Sequence, residues 1–80
     1  MKVLYFYKDS CDEDILRVLE DSEVDHIGLY NAMQSLYEVD KYVVCVAPTL
    51  VFLDDDEKEV ARLYGVIAQE DVKKILYGNM

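Results

Sequence analysis

The spacing of apolar residues in the first half of the chain predicts a strand, a helix and a second strand. Residues 3–7 are continuously apolar and rich in β-forming side chains, which is typical of a central strand covered on both faces. Residues 12 to about 23 predict a helix, because acids open the segment and apolar side chains recur at helical spacing: Ile15, Leu16, Val18 and Leu19. Residues 24–29 form a weaker apolar run, which predicts the second strand.

The second half of the chain predicts a helix, a β-hairpin and a closing helix. Residues 32–42 form the helix, with Met33, Leu36, Tyr37 and Val39 at helical spacing. Residues 43–65 then predict a loop and two strands, separated by an acidic turn at residues 54–57. Residues 69–77 predict the last helix, with Gly78 as its stop.

This order of elements, βαβαββα, predicts an α/β fold with a four-stranded mixed sheet and three helices on its two faces. We expect the first three strands to be parallel neighbours, because helices connect them. We expect the fourth strand to run antiparallel to the third, because an acidic hairpin joins them.

Length, charge and cysteine content narrow the class of protein further. The chain has 80 residues, of which 52% are hydrophobic, so we expect one folded domain spanning residues 1–80 and acting as a monomer. A net charge of -9 argues against nucleic acid or an anionic membrane as partner, since both attract basic proteins.

Two cysteines without a signal peptide or a spanning segment predict a cytoplasmic, reduced protein. His26 stands alone, away from metal-ligand spacing with either cysteine, so we expect no metal site.

Two segments of the chain resemble the thioredoxin superfamily. The stretch FYKDSCDED before a helix is similar to the active-site segment of that family, where a strand, a short turn, Cys-x-x-Cys and a helix follow in that order. The stretch YVVCVAPTLVFL resembles the family's proline before the third strand, and Gly65 matches its glycine after the fourth. The length fits a minimal thioredoxin or glutaredoxin core.

The resemblance implies a set of site residues around one cysteine. Cys11 matches the nucleophile, and Pro48 matches a cis proline that faces it, so that the backbone of Ala47 would pair with an extended substrate. Ser10 stands where thioredoxins commonly have tryptophan before the nucleophile, on the substrate side. Lys8 matches a glutaredoxin lysine that binds a carboxylate of glutathione.

The departures from the family pattern concern how a disulfide would be resolved. Asp14 stands in place of the second cysteine, and an exposed carboxylate there would be only a weak base for the Cys11 thiol. Tyr5 stands where many thioredoxins keep a buried aspartate, and the glutaredoxin Gly-Gly pair is missing after Gly65. Cys45 is either a resolving thiol within about 7 Å of the nucleophile or a partly buried structural thiol, and we favour the structural role.

Charge around Cys11 opposes its activation. A helix N-terminus stabilises a thiolate, but Asp9, Asp12, Glu13 and Asp14 repel a further negative charge. Because the two effects are of similar size, we expect the thiol to keep a pKa near its ordinary value of about 8.5.

Two functions of different class fit these features. The first is thiol–disulfide exchange with a protein or small-molecule disulfide through Cys11 alone, with release by an external thiol such as glutathione and no other cofactor. The second is a redox-inactive binding or adaptor module, whose groove beside Pro48 would hold a basic segment of a partner. The sequence also allows a chain from which a cysteine at position 14 was removed by engineering.

Overall fold

A computed structural model describes residues 1–22 and 24–78 of the chain. The strands and helices occur in the predicted order βαβαββα. Their bounds are β1 Lys2–Tyr7, α1 Glu13–Glu20, β2 His26–Asn31, α2 Leu36–Lys41, β3 Thr49–Leu53, β4 Glu59–Tyr64 and α3 Gln69–Tyr77. None of the helices in the described part is both long and apolar enough to cross a membrane.

The four strands form one mixed sheet in the order β2-β1-β3-β4. Strand β1 lies at its centre and is buried on both faces, which explains its continuous apolar run. Successive side chains of a strand point to opposite faces, so Val3 and Tyr5 enter one core cluster while Leu4 and Phe6 enter the other. The predicted fold class, with helices on both faces of a mixed sheet, is confirmed.

The two faces of the sheet are covered unequally. Helices α1 and α3 pack on the first face, where Ile15, Leu19 and Val72 are buried. The second face is covered more lightly, because α2 has no buried residue and contributes the partly buried Val39. The deeper core therefore lies under α1, the helix that follows Cys11.

Several predicted boundaries differ from those of the structure. Helix α1 is shorter than residues 12–23, and the predicted end at Glu23 lies outside the described residues. Strand β2 begins two residues later than predicted. Helix α2 begins at Leu36 because Asn31 organises a turn first: its side-chain oxygen accepts from the Met33 N–H at 2.9 Å, and its carbonyl accepts from the Ser35 N–H at 2.8 Å. Helix α3 has the predicted bounds, and Gly78 follows it at a φ of +72°.

The predicted direction of the third strand is wrong. Strand β1 is parallel to β2 but antiparallel to β3, with Phe6 opposite Thr49 and Lys2 opposite Leu53. A parallel crossover must carry the chain back along the full strand, about 20 Å for six residues. Helix α2 has six residues and covers only about 9 Å. The helix alone does not cover that distance, and the chain enters β3 at the carboxyl end of β1, where Thr49 pairs with Phe6.

Candidate functional site

The candidate site lies where the segment after β1 meets the loop before β3. An open depression of about 470 Å³ separates the two. Its lining residues are Tyr5, Lys8, Asp9, Ser10, Cys11, Asp12, Ala47 and Pro48. The antiparallel course of β3 is what brings Pro48 to this end of the sheet, since Thr49 pairs with Phe6 near the end of β1. Five of the predicted site residues thus share one depression: Lys8, Ser10, Cys11, Ala47 and Pro48.

Cys11 is partly exposed and lies immediately before the residue that caps α1. It also packs against the core cluster under that helix. This partial burial raises the pKa of the Cys11 thiol above its ordinary value. We expected a pKa near or above about 8, with the acids offsetting the helix terminus. The upward direction agrees with that expectation, but its cause is burial rather than the acids.

Asp12 explains why the helix terminus does not favour a thiolate at Cys11. The Asp12 carboxylate accepts hydrogen bonds from the N–H groups of Asp14 at 2.9 Å and of Ile15 at 3.4 Å. These are the groups that a neighbouring anion would otherwise use at the start of a helix. The Asp12 carboxylate therefore already occupies the N–H groups at the start of α1 that would stabilise a Cys11 thiolate.

Tyr5 ties the start of α1 to the central strand. Its side chain is 2% exposed, and its hydroxyl accepts a hydrogen bond from the Asp12 N–H at 3.0 Å. Burial also raises the pKa of Tyr5, so the phenol stays protonated at neutral pH. Asp12 thus fixes the loop before α1 through two contacts. Its backbone N–H donates to the Tyr5 hydroxyl, and its side chain accepts from the N–H groups of the first helical turn.

The loop that carries Pro48 is held by hydrogen bonds from β3 and β4. The Ala47–Pro48 peptide bond is cis. The Pro48 carbonyl accepts from the Gly65 N–H at 3.0 Å, and the Thr49 hydroxyl donates to the Val46 carbonyl at 2.6 Å. This anchoring leaves Ala47 and Pro48 at the surface of the depression, opposite Cys11.

Arg62 of β4 holds the first part of the same loop. Its guanidinium donates to the carbonyls of Tyr42 and Val43, the latter at 2.9 Å, and it pairs with Glu59. Val43 has a φ of +52°, a left-handed conformation that a β-branched residue adopts only at a cost in energy. The hydrogen bond from Arg62 helps to hold the backbone in that conformation.

Asp14 and Cys45 do not line the depression around Cys11. The Asp14 carboxylate lies 3.7 Å from the guanidinium of Arg17, one turn along α1. Cys45 lines a separate depression of about 320 Å³, and its thiol donates to the Val43 carbonyl at 3.9 Å. Both cysteines are free, and Cys45 is exposed, so the expectation of a partly buried Cys45 is wrong. The roles of Asp14 as a base and of Cys45 as a resolving thiol stay predictions.

Metal binding finds no support in the described residues. Across residues 1–22 and 24–78, no group of three or more His, Cys, Asp or Glu side chains is placed to hold a metal ion. The charged residues of the depression are one lysine and two aspartates, Lys8, Asp9 and Asp12.

Sequence reasoning missed the capping role of Asp12, the Tyr5 hydrogen bond and the contact of Arg62 with the loop. The sequence contained a local signal for the Asp12 cap and another for the Tyr5 hydrogen bond. An aspartate directly before an acidic first turn is a strong N-cap candidate, and a tyrosine in a buried strand needs a partner for its hydroxyl. The contact of Arg62 joins positions 19 residues apart and has no local signal.

Comparison with known proteins identifies the fold. No model of a known protein family matches the sequence, and neither does any curated protein sequence. Among solved structures, the chain is similar to thioredoxin 1 from the thermophilic eubacterium Thermosipho africanus TCF52B, with a TM-score of 0.76 and 23% identity. The match covers 90% of this chain and 85% of that one. The chain therefore has a thioredoxin-like fold.

Proposed function

We propose that the chain exchanges thiols and disulfides through Cys11 as its single nucleophile. The observation that carries this proposal is the open depression that the partly exposed Cys11 lines together with Ala47 and Pro48. A sulfur nucleophile needs access for an incoming disulfide, and an extended substrate needs a backbone surface beside it. The depression offers both.

The exchange proceeds in two displacements. The Cys11 thiolate attacks one sulfur of the substrate disulfide, forming a new S–S bond while the other substrate sulfur leaves as a thiolate. An external thiolate then attacks the substrate sulfur of this mixed disulfide, and the Cys11 thiolate is released. The proton of the Cys11 thiol passes to water before the first step. The external thiol ends in a disulfide with the substrate, so the numbers of bonds and electrons are conserved.

Glutathione is the external thiol that the site suits best. Lys8 lines the depression, and no ion pair joins it to another residue of the described part. Its ammonium is therefore available to a carboxylate of the incoming tripeptide. A reducing compartment such as the cytoplasm would supply this thiol in excess.

The proposal is tested with two matched variants, Cys11→Ser and Cys45→Ser. Each is mixed with a small disulfide at pH 8, and the rate of release of the small thiol is measured. Cys45→Ser should react at Cys11 and turn over when glutathione is supplied. Cys11→Ser should lose turnover even if the exposed Cys45 is labelled. Turnover that survives in Cys11→Ser and disappears in Cys45→Ser would overturn the assignment.

A binding or adaptor role is the second candidate. Two observations favour it: Asp12 occupies the helix N–H groups beside Cys11, and Asp14 stands where a resolving thiol would be. Replacing Asp14 by Cys separates the two candidates. A retained exchange site should gain turnover of a protein disulfide without glutathione. If the variant forms its internal disulfide but stays inert toward substrate, the binding role takes first place.

A further inference from the structure

The Tyr5 hydroxyl is a buried polar group that faces the depression with an unused hydrogen-bond donor. A phenol has one proton to donate and lone pairs to accept with. The Asp12 N–H occupies the accepting side at 3.0 Å. Within the described residues, no atom accepts a hydrogen bond from the Tyr5 hydroxyl itself. A side chain that is 2% exposed thus lines the depression with an O–H that donates to no described residue.

The position of this hydroxyl is fixed by its surroundings. The Tyr5 ring is packed in the core cluster under α1 and meets the Tyr7 ring edge-on, with the ring centroids 6.3 Å apart. The hydrogen bond from Asp12 sets the hydroxyl beside the residue that follows Cys11. Donor and sulfur therefore lie within one depression, on either side of a rigid backbone segment.

Asp12 takes two of the donors that a sulfur anion at Cys11 would otherwise find at a helix start. The Asp14 and Ile15 N–H groups donate to Asp12 instead. The charged groups around the depression are Lys8, Asp9 and Asp12, while Ala47 and Pro48 opposite bring no charge. A thiolate here therefore gains from a further donor, and the Tyr5 phenol, which lines the same depression, can supply one.

We propose that the Tyr5 hydroxyl donates a hydrogen bond to the Cys11 sulfur when that sulfur is ionised. The assignment rests on the proposed exchange function and adds Tyr5 to it as a catalytic residue that contacts the reacting sulfur. Among the described contacts no hydrogen bond joins the two side chains, so the proposal requires the Cys11 sulfur to turn toward Tyr5 about its Cα–Cβ bond. The Tyr5 hydroxyl thus supplies a hydrogen-bond donor in place of the helix N–H groups that Asp12 occupies.

The test compares Tyr5→Phe with Tyr7→Phe, both in the Cys45→Ser background. Tyr7 is the matched control, because it lies two residues along the same strand and its hydroxyl makes no hydrogen bond with another described residue. Iodoacetamide alkylation of Cys11 is followed from pH 6 to 10. Tyr5→Phe should reduce the alkylation rate at pH 7 roughly three- to tenfold, the size expected for a partly solvated hydrogen bond to an anion. Tyr7→Phe should leave the rate unchanged.

A second measurement keeps Tyr5 unmutated, so its result does not depend on whether Tyr5→Phe misfolds or shifts the start of α1. The ¹³Cζ resonances of Tyr5 and Tyr7 are followed across the titration of Cys11 in the Cys45→Ser protein. Tyr5 should shift at the Cys11 midpoint, and Tyr7 should not. A Tyr5 resonance that ignores the Cys11 titration would overturn the proposal, as would equal alkylation rates for both variants. Neither readout involves a disulfide, so the assignment can fail while disulfide exchange stands.

Discussion

Cys11 and Asp12 are neighbours at the start of α1, and they compete for the same backbone N–H groups. Asp12 holds them, with hydrogen bonds of 2.9 and 3.4 Å to the N–H groups of Asp14 and Ile15. Partial burial then raises the pKa of the Cys11 thiol. The residue with the reactive group is thus kept protonated by its surroundings at neutral pH.

The pH dependence of Cys11 reactivity follows from the raised pKa of its thiol. Because the pKa is raised, the thiolate fraction at pH 7 is small, and it increases as the pH rises toward the pKa. In Cys45→Ser, alkylation of Cys11 should accelerate about tenfold per pH unit and level off only above the ordinary thiol pKa of about 8.5. Stopped reactions analysed by mass spectrometry give the profile. A plateau that begins below pH 7 would contradict the assignment.

Replacing Asp12 by Ala should make Cys11 more reactive and α1 less stable. The substitution removes a negative charge beside the sulfur and frees the two N–H groups it caps, so alkylation at pH 7 should rise roughly two- to tenfold. Loss of the cap should lower the free energy of unfolding by about 1 kcal/mol. Glu13→Ala is the control, since it removes an acid from the same turn without removing the cap. Equal effects of both variants on alkylation would show that charge alone matters.

Helix α2 and strand β3 determine where the Pro48 loop lies. Their apolar residues predicted the elements but not the direction of β3, because a buried strand has the same pattern whether its neighbour is parallel or antiparallel. The pattern also does not give the length of α2, because Asn31 organises a turn and leaves six residues for the helix. Helix α3, which lacks such a competitor, was predicted with its full bounds.

Arg62→Ala should loosen the loop that runs from α2 to Pro48. The variant loses the hydrogen bonds to the Tyr42 and Val43 carbonyls, so the free energy of unfolding should fall by about 1–2 kcal/mol. Amide hydrogen exchange in residues 43–47 should accelerate more than exchange in β1. The control is Arg17→Ala, whose exposed pair with Asp14 at 3.7 Å should change stability by less than about 0.5 kcal/mol. Unfolding in urea measures both, and equal effects would refute a specific role for Arg62.

The whole molecule carries a net charge of -9, which acts on any charged substrate before contact. The family resemblance and the apolar pattern were readable from sequence, and together they predicted the fold class and the order of the elements but not the direction of β3. The depression was predicted only in part. Its family-matched residues could be named beforehand, and the cap by Asp12 has a local signal. The hydrogen bond between Asp12 and Tyr5 depends on how α1 is docked against β1.

Substrate charge should therefore affect the rate of the first displacement. The dication cystamine should react with Cys11 several-fold faster than anionic oxidised glutathione does. The rate for each disulfide is first divided by the rate at which a small reference thiol reacts with the same disulfide. The ratio should shrink as salt is raised from 0.01 to 0.5 M, because the field of the molecule is then screened. A ratio that does not respond to salt would mean that contacts within the depression, rather than the net charge, set the preference.

The most direct test of disulfide exchange through Cys11 is the identity of the covalent intermediate. The native chain is mixed with one equivalent of cystamine at pH 8, quenched with acid and digested with trypsin, which places Cys11 in peptide 9–17 and Cys45 in peptide 42–58. A cysteamine label should be found on peptide 9–17, with or without a second label on Cys45, and the label on peptide 9–17 should leave when glutathione is added. A label confined to peptide 42–58, or one on peptide 9–17 that glutathione cannot remove, would contradict single-cysteine exchange.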